Sequence, residues 1–315
     1  MSTLRIGTRA SALALWQAHE VRSRIARLPG APEVTVVHIK TEGDEQTQVP
    51  LWALAGRSFF TKEIDRALLA GEVDIAVHSL KDVATALEPG TELAAVLTRE
   101  DPRDALVARE GLTLAQLPQG ARVGTSSLRR RAFLAHARPD LTLLELRGNV
   151  PTRLERLSKG DYDAVVLATA GLARLGLEQH ISERLPPEDF PPAVSQGAIG
   201  VCARAGDDAA GRWLSALDDL PTRLATLAER VLLARIEGGC QVPLGALARV
   251  SGDRLTLNAS VCSLDGRQRL SAHAEGPAQP QAATALGEAV AGDLLAQGAA
   301  KLITAERQQR PQQVP

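Results

Sequence analysis

Apolar positions along the first hundred residues switch between two periods. Residues 4–6 form a short apolar run, Gly7-Thr8-Arg9-Ala10-Ser11 turns the chain, and Leu13, Leu15, Trp16 and Val21 then recur at helical spacing. The pattern predicts a strand over 34–39, a helix over 61–70 and a buried strand over 73–77, with His78-Ser79-Leu80-Lys81-Asp82 as the polar loop after it. Strands alternating with helices argue for a mostly parallel sheet with helices on both faces. A charged stretch at 98–104 interrupts this series and reads as a crossover.

A second α/β series follows. It predicts a strand at 121–123, the turn Gly124-Thr125-Ser126-Ser127, and a helix over 128–137. A strand at 141–146 leads into the loop Arg147-Gly148-Asn149, where Pro151 suits a first helical position. The strand at 163–168 ends at Thr169-Ala170-Gly171. Residues 185–197, rich in proline and closing on Ser195-Gln196-Gly197, read as a second crossover.

From about residue 221 the pattern changes. A long helical stretch reaches about 236, where Gly238 and Gly239 end it, and Pro243 keeps a helix from resuming. Between them lies Cys240, on a constrained loop. Residues 254–263 alternate as a strand, Asp265-Gly266 suits a hairpin turn, and a helix is expected near 280–297. The last residues, from Gln308, have the composition of a disordered tail.

Composition removes several function classes. The 315 residues carry a net charge of -1, so nothing favours nucleic acid or an acidic membrane surface, and the 3% aromatic content makes nucleic-acid binding through Arg129-Arg130-Arg131 a poor alternative. The three cysteines, Cys202, Cys240 and Cys262, are widely spaced without a CxxC pair, which argues against a disulfide framework or a zinc site. No apolar stretch approaches bilayer length and the N-terminus lacks a signal-peptide pattern, so the expectation is a cytoplasmic protein.

In parallel α/β sheets, ligands bind beyond the carboxyl ends of the strands. Three such loops of the second series carry arginine: Arg129 and Arg130 beside Ser126 and Ser127, Arg147 with Arg153, and Arg174 after Gly171. Guanidinium groups at helix starts suit a polycarboxylate or phosphate ligand; alternatively, they cap helices and pair with nearby acids. The first series adds Thr8, Arg9 and Ser11, then Lys81 and Asp82. Asp82 could accept hydrogen bonds from ligand N–H groups and stabilise developing positive charge, or could cap its own turn. Cys240 could be a nucleophile or a small buried apolar group. A binding protein for a small organic anion would share the arginines and the crossovers but would have no need of Cys240.

Read in order, the segments form a pattern. Ile6-Gly7-Thr8-Arg9 with Ser11, Phe60-Thr61-Lys62-Glu63, His78-Ser79-Leu80-Lys81-Asp82-Val83, Arg99-Glu100-Asp101-Pro102-Arg103-Asp104 and Gly124-Thr125-Ser126-Ser127-Leu128-Arg129-Arg130 are followed by Arg147-Gly148-Asn149-Val150, Thr152-Arg153-Leu154, Ala170-Gly171-Leu172, Gln196-Gly197-Ala198 and the Cys240 loop. The sequence closely resembles the porphobilinogen deaminase family over about residues 4–245. Two segments depart from the family pattern: Arg57-Ser58 stand where Lys-Gly is frequent, and Ala84 replaces a usual proline.

The resemblance implies two periplasmic-binding-protein-like α/β domains plus a smaller C-terminal α+β domain: 1–98 with 195–217, 103–191, and 221–306 carrying the cysteine, before a tail at 307–315. It implies a cytoplasmic monomer that acts on porphobilinogen, with neither a nucleic-acid nor a membrane partner. It further implies a dipyrromethane cofactor joined by a thioether to Cys240, and head-to-tail condensation of four porphobilinogen molecules to hydroxymethylbilane with loss of four ammonia. Asp82 would bind pyrrole N–H groups and stabilise the cationic azafulvene. Arg9, Arg129, Arg130, Arg147, Arg153 and Arg174 would bind acetate and propionate groups. Thr8, Ser11, Lys62, Lys81, Thr125, Ser126, Ser127, Gly148, Asn149, Ala170, Gln196 and Gly197 would complete the cofactor and substrate site.

Overall fold

The computed structural model describes residues 3–41, 61–236 and 242–308, so Cys240, Arg57, Ser58 and the tail from residue 309 lie outside the described residues. Among the described residues, strands gather into three sheets. The first has the order β2(Val34–His38)–β1(Leu4–Thr8)–β3(Ile75–Ser79)–β10(Ile199–Arg204)–β4(Thr91–Val96). The second has the order β7(Thr142–Leu144)–β6(Arg122–Gly124)–β8(Ala164–Ala168)–β5(Asp104–Ala108)–β9(Glu183–Arg184). The third is β11(Leu244–Ser251)–β12(Arg254–Cys262)–β13(Arg269–Pro277), antiparallel throughout. These are the two α/β units and the smaller C-terminal α+β unit expected from the sequence.

The two α/β sheets are built alike. In each, the second strand lies parallel to both its neighbours, as β1 does to β2 and β3, and β6 to β7 and β8. Each also takes in one antiparallel strand from beyond a crossover: β10 returns to the first sheet after the second is complete, and β5 enters the second directly after the first. The chain therefore passes twice between the sheets, over 97–103 and again before β10, where a hinge between lobes would lie.

Both α/β sheets are covered on both faces, so their strands read as continuous apolar runs. Ile6, Ile75 and Val77 pack with Val21 and Ile25 of the Ala12–Ala26 helix, whereas Ala76 meets Ile64 and Leu68 of the Lys62–Leu69 helix on the other side. In the second sheet Val123 and Val166 face Phe133 and Leu134, while Val165 and Leu167 face Leu157 and Leu172. The C-terminal sheet is one-sided. Ala246, Ala248, Leu257 and Val261 meet Leu224, Leu232, Val290 and Leu294 of the Leu220–Arg235 and Pro280–Ala296 helices, and its other face is polar.

Three sequence expectations shift. The strand expected at 73–77 is β3, and His78 and Ser79, expected in the loop, are its last residues, paired with Gly200 and Ile199 of β10. Asp104, expected within the charged crossover, opens β5 opposite Ala168 and is buried. Beyond the expected C-terminal helix, Gly298 turns the chain at φ +104 and a further helix runs over Ala299–Gln308.

The units meet tightly. Gly197 has φ +90, and a Cβ there would lie 2.3 Å from the carbonyl oxygen of Glu100, so the two crossovers can touch only through glycine. At the hairpin of the third sheet, Gly266 packs on the backbone of Ala135, and His136 Nδ1 contacts the Gly266 carbonyl at 2.7 Å.

Candidate active site

The first sheet presents the ends of β1 and β3 at a small pocket of about 70 Å³ whose wall includes Arg9, Ser11, Gln17, His78, Ser79 and Asp82. Ser11 caps the Ala12–Ala26 helix by accepting from Ala14 N, which turns the chain sharply after Thr8 and leaves Arg9 at the pocket. Thr8 is buried, with its hydroxyl against the carbonyls of Ala14 (3.3 Å) and Val77 (3.5 Å). Lys62 is exposed beside Thr61, another residue of the wall.

After β3 the chain makes one 3₁₀ turn, Leu80–Asp82, in which Leu80 is buried and Asp82 half-buried. No described residue donates a hydrogen bond to the Asp82 carboxylate or pairs with it within 4 Å. Next to it, Lys81 Nζ donates to Gln196 Oε1 at 3.3 Å. Burial pushes the Lys81 ammonium down to about 8 although Asp82 favours its charged form. His78 is buried and pushed down to about 4, by burial first and then by Arg9, so it is neutral at pH 7. Its Nε2 is buried without a partner among the described residues.

The second sheet contributes cations. Ser127 caps the Leu128–Ala137 helix by accepting from Arg130 N, Thr125 Oγ1 accepts from Ser127 N, and Ser126 donates to the Leu146 carbonyl. This fixes Arg129 and Arg130 at the first turn, and both are buried. Between them lies Asp104, the residue sequence reasoning missed. It pairs with Arg129 Nη1 (2.8 Å), and accepts from Arg130 Nη2 (2.8 Å) and Nε (3.1 Å) and from Gln196 Nε2 (2.9 Å). Burial alone would raise its pKa, but the two guanidinium groups outweigh that and hold the carboxylate well below its usual range.

Asn149 caps the Val150–Ser158 helix, and Gly148 at φ +107 lets its carbonyl accept from Arg153 Nε at 2.8 Å. Arg153 is pushed down to about 10, first by burial and then by Arg130 and Arg147. Like charges are therefore concentrated at one edge of the sheet, with Asp104 already shared by two of them. On the other side, Ala170 is buried in the short Thr169–Arg174 helix. Arg174 is buried, donates to the Gly197 carbonyl at 2.6 Å and lies 5.8 Å from the Trp16 ring of the first unit. Burial pushes it down to about 10.

Gln196 joins the two edges. Its amide oxygen takes Lys81 from the first sheet, while its NH₂ donates to Asp104 and to the Pro102 carbonyl (2.8 Å) in the second. The candidates thus fall into two groups bridged by one side chain: Thr8, Arg9, Ser11, Lys81 and Asp82, and Arg129, Arg130, Arg147 and Arg153. The C-terminal unit reaches this site through the Leu220–Arg235 helix, where Arg230 donates to the carbonyls of Val83 (3.0 Å) and Ala84 (2.6 Å), directly after Asp82. Ile236 and Val242, which flank the undescribed cysteine segment, are both buried in the C-terminal core.

Two α/β lobes that turn a lone carboxylate and a buried excess of cations towards one cleft define a site for a polyanionic ligand carrying N–H donors. Residues 4–212 match the family description "Porphobilinogen deaminase, dipyromethane cofactor binding domain", and residues 223–296 match "Porphobilinogen deaminase, C-terminal domain". The chain is 52% identical over 302 residues to the porphobilinogen deaminase of Roseiflexus castenholzii, covering 96% of this chain and 99% of that one. It is 49% identical over 310 residues to that of Xylella fastidiosa, covering 97% and 99%. Among solved structures, a methionine-bound nutrient binding protein from Burkholderia cenocepacia aligns over 67% of this chain and 90% of its own at 15% identity, with a TM-score of 0.42, too distant to carry an argument. The chain belongs to the porphobilinogen deaminase family.

A dipyrromethane carries four carboxylates and two pyrrole N–H groups, and the residues present fit it. The mutually depressed cations call for added negative charge, and Asp82 is an N–H acceptor with no described donor. No helix of the described residues is long and apolar enough to cross a membrane.

Proposed function

We propose that this cleft joins four porphobilinogen molecules head to tail into hydroxymethylbilane with release of four ammonia, with Asp82 as the catalytic carboxylate and Cys240 as the thioether anchor of the dipyrromethane. The chain is a transferase of tetrapyrrole biosynthesis. The observation that carries the residue assignment is Asp82: an acceptor on the pocket wall, unpaired by any described residue, across from a group of cations. When bound, the dipyrromethane supplies the pyrrole carbon to which the first substrate is joined.

The chain's own residues do the remaining work. Asp82 accepts the pyrrole N–H and offsets the positive charge that grows as the substrate's amine departs. Arg9, Arg147, Arg153, Arg174 and the Arg129–Arg130 pair meet the carboxylates; Asp104 occupies one edge of the pair and orients it. Gln196 keeps Lys81 and Asp104 in register across the cleft. Thr8, Ser11, Thr125, Ser126, Ser127, Gly148, Asn149, Ala170 and Gly197 shape the loops that carry these groups, with Lys62 at the rim. We take the units as 1–98 with 195–217, 103–191 and 221–306, and the enzyme as a cytoplasmic monomer without a nucleic-acid partner, as its net charge of -1 suits.

The intact mass of the acid-denatured enzyme tests the anchor. An excess of two deaminated pyrrole units on the peptide containing Cys240 is expected, and the same mass on Cys202 or Cys262 would overturn the assignment. Both alternatives are buried, and burial pushes the Cys202 thiol up to about 12, which leaves little thiolate to react.

The pH dependence has a defined sign. An anionic ligand that pairs with Lys81 stabilises its ammonium, so ligand binding takes up a proton wherever the free enzyme has lost it. With the free-enzyme value at about 8, affinity should be flat below that pH. Above it, KM for porphobilinogen should rise by up to about tenfold per pH unit. Lys81→Gln should bind more weakly below about pH 8, lack this rise, and approach wild type as the pH increases. An equal rise in that variant would show that another group is responsible.

A further inference from the structure

A second cavity, of about 320 Å³, lies away from the cleft, where the polar face of the C-terminal sheet meets the proline-rich segment before β10. That volume is at the small end of the range of about 300–1,000 Å³ for small-molecule sites. Its floor alternates with the apolar core as strand geometry requires: Leu247 and Arg249 of β11, Asn258 and Ser260 of β12, and Arg269, Ser271 and His273 of β13 share one face. Pro187, Glu188 and Pro191 form the wall.

The floor is cationic and lacks counter-charge. Among the described residues, Arg249 and Arg269 have no carboxylate within the 4 Å of an ion pair, and Glu275, the next acid on this face, pairs with Arg254. Arg269 is held in place without being neutralised. Its Nη2 donates to the Glu188 carbonyl and to Ser260 Oγ, and its guanidinium lies 5.4 Å from the Phe133 ring. Its Nε is buried with no partner among the described residues. Across the strands, Ser260 and Ser271 share a hydrogen bond at 2.8 Å, so one hydroxyl proton remains to be donated elsewhere. The Glu188 side chain is the one acid among the described lining residues and is exposed.

We propose that this cavity is a binding site for a compact organic anion, recognised by its carboxylate or phosphate oxygens through Arg269 and Arg249, with Asn258, the Ser260–Ser271 pair and His273 supplying further hydrogen bonds. The site is separate from the cleft but shares a wall with it. Pro191, which lines the cavity, accepts a hydrogen bond from Arg129 Nη1 at 2.7 Å through its carbonyl. A ligand seated here would bear on the segment that helps to hold the Arg129–Asp104 pair.

Calorimetric titration of the holoenzyme with citrate and, separately, with inorganic phosphate tests the proposal. Saturable binding of either is expected: citrate alone would identify a carboxylate ligand and phosphate alone a phosphate ligand. Arg249→Gln and Arg269→Gln should each weaken it by roughly tenfold or more, whereas Arg153→Gln, in the cleft, should leave it unchanged. Arg249 is exposed and makes no ion pair with a described residue, so its variant keeps the test valid if Arg269→Gln fails to fold. Absence of binding by both anions up to about 10 mM would overturn the site. So would binding that survives both cavity variants, or binding lost in Arg153→Gln alone, which would place the anion in the cleft.

Discussion

Asp82→Ala should lose turnover by about 10³-fold while leaving a folded, cofactor-loaded enzyme. The size follows from the setting: the carboxylate is half-buried in the turn after β3, beside a lysine that burial already pushes down to about 8. In such a place a fixed negative charge acts on a developing cation with little screening by water. Folding should be nearly indifferent, because no described residue relies on this carboxylate for a hydrogen bond, and the change in stability should stay within about 1 kcal/mol. Two further variants separate the roles. Asp82→Asn keeps an oxygen acceptor but not the charge; Asp82→Glu keeps the charge but moves it by one methylene. If charge stabilisation dominates, Glu should retain more activity than Asn. Single-turnover rates and the melting temperature of each variant are the measurements, and turnover within a few-fold of wild type in Asp82→Ala would remove Asp82 from the mechanism.

What the sequence disclosed was local, and what it hid was pairing across distance. The helix starts at Ser11, Ser127 and Asn149-Val150-Pro151 were legible because caps and first-turn proline are decided by neighbouring residues. The end of β3 was misplaced by two residues because His78 and Ser79 are polar, while their strand geometry is imposed by β10, more than a hundred residues away. For the same reason the antiparallel strands β5 and β10, each lent across a crossover, left no periodic signal that could show their direction. Asp104 looked like one more charge in a charged stretch. Its one distinguishing feature was its place just before the apolar run Ala105-Leu106-Val107, where an acid would be expected to need a partner.

Glu229 was open to the same reasoning. It falls on the apolar stripe of the Leu220–Arg235 helix, four residues after Ala225 and three before Leu232, where a carboxylate persists only if it is satisfied. It is completely buried and takes four donors: Arg99 Nη1 (2.6 Å) and Nη2 (3.2 Å), Ser195 N (2.6 Å) and Ala248 N (2.8 Å). Those donors come from the first crossover, the second crossover and the C-terminal sheet, so one side chain ties together all three units.

Replacing Glu229 with alanine strands a nearly buried guanidinium and two backbone N–H groups, which should destabilise the protein by about 3–5 kcal/mol. The effect should also reach the cleft. Arg99 Nε donates to the Gln196 carbonyl at 2.8 Å, and the Gln196 side chain spans Lys81 and Asp104. Ser195, held through its N–H by Glu229, sits at φ +62, a strained conformation for a non-glycine residue that the tie helps to maintain. Glu229→Ala should therefore lower kcat as well as the melting temperature. The double variant Arg99→Met, Glu229→Met should be less destabilised than the sum of its single changes, since it leaves no unpaired buried charge. Strict additivity in that cycle, or a Glu229→Ala enzyme that melts with wild type, would show that the tie is incidental.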